Sequence, residues 1–309
     1  MPSTPIAFAG IGKIAKDEHI PALEASKDWH LAATISRNDG IDGVPGFHDM
    51  DAFLRDPGDI RTVSLALPPG PRFDYAIKAM RAGMNVMLEK PPSVTLGAAR
   101  HLCMEAEAND VSLYFTWHSR MGDACDAARD RLKGKTLKKL KITWCEDVRQ
   151  THPDQDWLWE PGNLGVYDPG INAFSILAKI LDRPASVSEV TMELPDGRQT
   201  PICSDIVFAH PDEPDMTAHL NWRHEGDPVW DMEIETKGDA FSLTGSGSRL
   251  IEPDGAKTHE AGSNEYPLLY ARMAELVKAG DSDTDLRPME MVADAFLIGR
   301  RTIGDPFDW

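Results

Sequence analysis

Cysteine is scarce in this sequence: Cys103, Cys125, Cys145 and Cys203 are all it has, too scattered for a CxxC pair or a disulfide framework. Reduced thiols in a cytoplasmic compartment are expected, each mostly as buried filler. Apolar runs are short. None approaches the ~18 residues of a membrane span, and Met1 to Gly12 lacks the basic region of a secretory signal. Positive charge is also in short supply. Lys and Arg number 32 against 50 Asp and Glu, a formal charge of −18 that repels phosphate backbones and anionic membranes. Nucleic acid and membranes are therefore not expected as partners. A neutral sugar or polyol meets no long-range penalty, and an anionic cofactor needs local cations or backbone amides. The ten histidines form no HxxxH or HExxH pair, and no Cys/His group has ligand spacing, so no metal is expected. A GxSxG elbow is missing too, which removes the usual serine hydrolase signature.

With 41% hydrophobic and 27% charged residues, the 309-residue chain has an ordinary globular composition. Domains tend to divide beyond about 250 residues, so two are expected, 1–119 and 120–309. In the first, short apolar runs at Pro5 to Ala9, Leu31 to Ile35, Thr62 to Leu67, Asn85 to Leu88 and Val111 to Phe115 read as strands. Helical periods separate them at Lys13 to Ala25, Met50 to Leu54, Arg72 to Ala82 and Thr95 to Ala108, with Gly83 as a stop. Alternation of this kind predicts an α/β half with a doubly wound parallel sheet. Beyond Arg120 the pattern changes to one helix and then longer strands of alternating polarity, in which Leu140, Ile142 and Trp144, and Ala218, Leu220 and Trp222, face one way. These predict an α+β half with a mostly antiparallel open sheet, closed by helices at Tyr266 to Ala279 and Pro288 to Arg301.

The first strand runs into Gly10-Ile11-Gly12-Lys13-Ile14-Ala15, a GxGxxA turn opening a helix. Its glycines permit a tight turn and close approach of backbone N–H groups to a pyrophosphate. An NAD enzyme usually ends its second strand in Asp or Glu, to bind ribose hydroxyls. Here Ser36-Arg37 stands instead, a hydroxyl and a guanidinium suited to a 2′-phosphate, so NADP is the expected cofactor, while Asp39 keeps NAD usable. The fourth strand ends in Glu89-Lys90-Pro91-Pro92, which sets a lysine on a stiff mount at the carboxyl edge of the sheet. Asp168-Pro169 has the form of an N-cap followed by proline at the first helical position, with Asn172 on the same helix face. Glu146, Asp147, His152, Trp157, Trp159 and Glu160 gather acceptors and flat apolar faces in one stretch, the combination that a pyranose ring needs.

The glycine turn, Glu89-Lys90-Pro91-Pro92 and Asp168-Pro169-Gly170-Ile171-Asn172 together resemble the glucose-fructose oxidoreductase and inositol dehydrogenase (Gfo/Idh/MocA) family. Within it, Trp117-His118-Ser119-Arg120, Glu146-Asp147-Val148-Arg149 and Trp157-Leu158-Trp159-Glu160-Pro161-Gly162 are similar to segments of the aldose 1-dehydrogenases. The resemblance spans nearly the whole chain. It implies a Rossmann domain followed by a sheet whose face, with the cofactor, encloses a sugar. The implied reaction is NAD(P)-dependent oxidation of the anomeric carbon of D-galactose or L-arabinose to an aldonolactone. The family's lysine matches Lys90 and its aspartate Asp168, while the residue four further on, commonly histidine, is Asn172 here. Asn172 cannot accept a proton, so Lys90 is the preferred base or relay, Asp168 orients Lys90 or O1, and Asn172 holds a hydroxyl. The cofactor set is Gly10, Gly12, Lys13, Ile14, Ser36, Arg37, Pro68, Pro69, Glu89 and Lys90. The substrate set is Lys90, His118, Glu146, His152, Trp159, Asp168 and Asn172. An inositol or other polyol dehydrogenase is the alternative within the family, set back by Asn172, and a non-catalytic NADP-binding regulator the alternative outside enzymes, set back by Lys90 and Asp168. By the same analogy, an exposed face of the second sheet would provide for a homo-oligomer.

Overall fold

The computed structural model describes residues 3–37, 40–260 and 265–309. Asp39, the residue expected to keep NAD usable, lies outside them. The chain forms two compact units, one running to His118 and taking up Glu265–Leu286, the other comprising Ser119–Asn264 and Arg287–Trp309.

The first unit begins with β1 (Thr4–Ala9), then a π-helical turn, Ala15–His19, that runs into α1 (Ile20–Glu24). It continues with β2 (Trp29–Ile35), β3 (Gly46–Phe47), α2 (Met50–Arg55), β4 (Thr62–Leu65), α3 (Pro69–Arg81), β5 (Asn85–Glu89), α4 (Leu96–Ala108) and β6 (Leu113–Thr116). The strands lie in the order β3-β2-β1-β4-β5-β6 and every pairing is parallel. Helical crossovers cover both faces of such a sheet, which is why β4 and β6 are buried along their whole length and read as continuous runs. Local chemistry starts the helices. The Asp49 side chain accepts from the Ala52 N–H at 2.7 Å and the Thr95 hydroxyl from the Ala98 N–H at 3.2 Å. α3 opens at Pro69 rather than at Arg72, because proline suits the first helical turn, where an N–H would have no partner. Gly83, at φ +75°, lets the chain leave that helix.

The second unit runs through α5 (Asp123–Leu132), β7 (Leu137–Cys145), α6 (Val148–Thr151), α7 (Tyr167–Ile180), β8 (Ser186–Pro195), β9 (Cys203–Ala209) and β10 (Asp215–Asn221). After them come β11 (Val229–Thr236), β12 (Asp239–Thr244), β13 (Arg249–Ile251) and β14 (Lys257–Glu260). α8 (Glu265–Ala279) belongs to the first unit, after which α9 (Arg287–Ile298) and β15 (Arg300–Gly304) complete the second. Its sheet has the order β14-β13-β12-β11-β7-β10-β9-β8-β15. Pairings are antiparallel except β10 with β7 and β15 with β8. Leu140, Ile142, Trp144, Ala218, Leu220 and Trp222 are buried, as their alternation predicts. α7 seats directly on this face, since a Cβ at Gly170 would stand 2.6 Å from Leu220 Cδ1.

Two expectations need correction. The last helix ends at Ile298 instead of continuing to Arg301. Gly299 passes so close to β8 that a Cβ there would collide with Met192 Cε, and the chain turns into β15. Asp168 is not an N-cap either. Backbone bonds from Tyr167 N to Leu164 O (3.2 Å) and Asp168 N to Gly165 O (2.8 Å) close the first turn, with Val166 at the cap position. Among the described residues no helix is long and apolar enough to cross a membrane.

Candidate active site

Parallel strands all end on one edge, so the loops after β1, β2, β4, β5 and β6 meet at the carboxyl side of the first sheet. Strand order reverses between β1 and β4, and there the two loops cross. Gly10 has φ +94°, and a Cβ on it would lie 2.8 Å from Leu67 N and 2.9 Å from Ala66 C. Gly12 is different: a Cβ there would meet nothing within 4 Å. Packing explains the first glycine and not the second. Lys13 and the 39% exposed Ile14 follow at the start of the helix. Lys13 is paired with Asp17. Ser36, half-buried, and Arg37, exposed, follow β2; Pro68 and Pro69 stand between β4 and α3. Gly10, Gly12, Lys13, Ile14, Ser36, Arg37, Pro68 and Pro69, the expected cofactor residues, thus gather along the carboxyl edge of the sheet, where doubly wound folds bind their ligands.

Lys90 is half-buried at the end of β5, and its bond to Pro91 is cis. Its mount is a buried polar network that no sequence motif announces. Glu89 Oε2 accepts from the Lys90 backbone N–H at 2.8 Å. Glu89 Oε1 accepts from Tyr266 Oη at 3.0 Å and from His19 Nε2 at 3.2 Å. His19 Nδ1 meets Tyr270 Oη at 2.8 Å, and Tyr270 donates to Ser64 Oγ at 3.4 Å. From α3, the buried Arg72 guanidinium donates to the carbonyls of Leu67, Glu89 and Pro91 and ties the two loops together. Burial alone would raise the Glu89 carboxyl; His19 above all, with His118 and Arg72, outweighs it and holds it at about 2. Burial, then the Glu89 charge, push the Tyr266 phenol well up, so it stays a donor. His118 Nδ1 lies 2.6 Å from Glu265 Oε2, with its ring stacked on Tyr266 at 5.8 Å. Burial opposes its charge, but the Glu265 hydrogen bond prevails and raises it above the ordinary histidine range.

In the second unit Glu146, His152 and Asp168 are brought together. Glu146, 3% exposed, accepts from Trp222 Nε1 (3.1 Å), Trp230 Nε1 (2.9 Å) and Thr151 Oγ1 (2.9 Å). His152 Nδ1 meets Thr151 Oγ1 at 2.9 Å and its Nε2 lies 3.5 Å from Asp168 Oδ2. Asn172 is half-buried one helical turn beyond Asp168. A line of polar groups therefore runs from the two indoles through Glu146, Thr151 and His152 to the start of α7. Asp147 instead caps α6, accepting from the Arg149 N–H at 2.9 Å.

Trp159 adjoins this line at Trp222. It is 1% exposed and packs against Trp222, Phe307 and Trp309, whereas Trp157 is 45% exposed. Sequence reasoning missed Arg72, His19, Tyr266 and Tyr270 in the first unit and Trp230 in the second. Only Arg72, a charged residue within an otherwise apolar helix face, left a local trace.

Residues 5–116 match the oxidoreductase family with NAD-binding Rossmann fold, GFO_IDH_MocA. A galactose 1-dehydrogenase of Pseudomonas fluorescens is 34% identical over 303 residues, which cover 98% of each chain. The crystal structure of a D-galactose-1-dehydrogenase protein from Rhizobium etli superposes with a TM-score of 0.96 and 40% identity, covering 100% of this chain and 99% of that one. A 3-ketoreductase from Actinomadura kijaniata, solved with NADP, gives a TM-score of 0.82 at 15% identity over 98% of this chain and 99% of its own; that likeness shows the fold alone.

Proposed function

The chain belongs to the Gfo/Idh/MocA oxidoreductase family with its NAD-binding Rossmann fold, and from that membership we propose that it is an NADP-dependent sugar 1-dehydrogenase. Its substrate is the β-pyranose of D-galactose or L-arabinose, which share ring configuration apart from the exocyclic carbon, and its product the aldonolactone. The observation that carries this reading is likeness along the full chain, at 34% and 40% identity, to two galactose 1-dehydrogenases.

The bound dinucleotide supplies the acceptor for the hydride leaving C1. As positive character grows on that carbon, the O1 proton needs an acceptor, and Lys90 on its fixed mount takes that part. Asp168 orients O1, tied through His152 to the buried Glu146. Asn172, an amide with both a donor and an acceptor, holds a neighbouring hydroxyl. Glu146 has three donors on its carboxylate already and acts by fixing His152. Ser36 and Arg37 receive the 2′-phosphate of NADP.

The test is NADPH formation by the purified chain across a panel of aldoses and inositols, with both dinucleotides. D-Galactose and L-arabinose should give the highest kcat/KM with NADP. Turnover restricted to inositols, or binding of NADP with no turnover of any sugar or polyol, would overturn the assignment.

A further inference from the structure

The outer face of the second sheet, turned away from α7, presents a group of side chains that the dehydrogenase reaction does not use. On β9 the buried Ser204, Ile206 and Phe208 alternate with Cys203, Asp205 and Val207; on β10 the buried Met216, Ala218 and Leu220 alternate with Thr217, His219 and Asn221. The antiparallel register sets His219 opposite Asp205 and Asn221 opposite Cys203. A thiol sulfur, an imidazole nitrogen and a carboxylate oxygen thus come within 4.8 Å of one another. His219 Nδ1 meets Asp205 Oδ1 at 2.7 Å. Asp205 and His219 line an open depression of about 630 Å³, with side chains 69% and 41% exposed, and the half-buried Cys203 lies beside it.

We infer that Cys203, Asp205 and His219 form a binding site for a divalent transition metal of the Zn²⁺ class, with water completing the coordination. Zinc holds sulfur at about 2.3 Å and nitrogen or oxygen at about 2.0–2.2 Å, so tetrahedral donors stand roughly 3.3–3.7 Å apart. Donors already within 4.8 Å reach that spacing by side-chain rotation alone, on two strands whose pairing fixes their backbones. A mixed sulfur, nitrogen and oxygen set selects against Mg²⁺ and Ca²⁺, which take oxygen. Binding releases the Cys203 thiol proton to solvent and leaves the thiolate on the metal. A cross-strand Asp–His pair accounts for two of these side chains without a metal, so the sulfur decides the matter.

The full-length chain, reduced and stripped with chelator, is titrated with Co²⁺ and then with Zn²⁺. One Co²⁺ should bind per chain with a thiolate-to-cobalt charge-transfer band, which Zn²⁺ abolishes by displacement. Cys203→Ser should remove the band, and His219→Ala should weaken Co²⁺ binding at least tenfold, both with unchanged sugar turnover. The metal site is ruled out if Co²⁺ does not saturate, if it binds without the band, or if the band survives in Cys203→Ser. Because the band is read first on the wild-type chain, a variant that folds poorly cannot account for its absence there, and loss of sugar turnover would bear on the enzyme assignment alone.

Discussion

A lysine held between a buried glutamate and two prolines has little freedom to leave its place. Replacing Lys90 by Met keeps the bulk and removes the amine, so kcat should fall to background while NADP binding stays within about tenfold of wild type. Single-turnover rates and dinucleotide titration separate the two quantities, and a near-normal kcat would discard Lys90 as proton acceptor. Ser36 permits a sharper test. An Asp there accepts from the 2′-hydroxyl of NAD and repels the 2′-phosphate of NADP, so both effects act in one direction. A contact charge pair at an effective dielectric of ~20 is worth about 4 kcal/mol, of which roughly a third to a half survives exposure and screening. Ser36→Asp should therefore lower kcat/KM for NADP about tenfold to thirtyfold, more at low salt. Steady-state kinetics at two ionic strengths check this; an unchanged NADP/NAD ratio would remove the phosphate from beside Ser36.

Among the elements, the β1 turn separates two jobs that a GxG pattern merges. Gly10→Ala must enter a left-handed conformation and press on the Ala66–Leu67 backbone, a cost of about 2–5 kcal/mol that a thermal melt should register. Gly12→Ala meets open space, so its melt should stay within about 1 kcal/mol of wild type while dinucleotide affinity drops tenfold or more. Equal melts for the two variants would show that packing does not distinguish these glycines. The parallel half was legible because its strands are buried on both faces and its helices carry local caps, Asp49 and Thr95 among them. The second half was legible face by face but not pair by pair. Alternation told which side of β7 and β10 turns inward, and could not tell that the two run parallel or that β15 closes the edge. The site divides the same way. Gly10, Lys90 and Asp168 announce themselves through neighbours in the chain, whereas the indoles that hold Glu146 come from 76 and 84 residues away. Cys203 and His219 share a cluster only because their strands pair, which no scan for ligand spacing detects.

Over the whole molecule, with its formal charge of −18, many carboxylates titrate in acid, yet Glu89 should stand out. Its folded value of about 2 lies below the ordinary 4.5, so its contribution to stability is fully present above pH 4.5 and is lost as the pH falls through about 2. That contribution is on the order of 3 kcal/mol. Glu89→Gln should lower the urea midpoint at neutral pH and flatten its decline between pH 4.5 and 2 relative to wild type. Parallel declines in the two proteins would show that Glu89 is not the group responsible. The network around Glu89 also sets an order of events. Tyr266 and Tyr270 lie on α8, beyond the whole run 119–264, so a ribosome must deliver most of the second unit before the first can be completed. During synthesis the N-terminal sheet emerges first but waits, with Glu89 short of one phenol and His19 short of another, until the chain comes back. A nascent chain arrested before residue 265 should consequently keep a loose, protease-sensitive nucleotide fold, although every strand of that sheet left the ribosome long before.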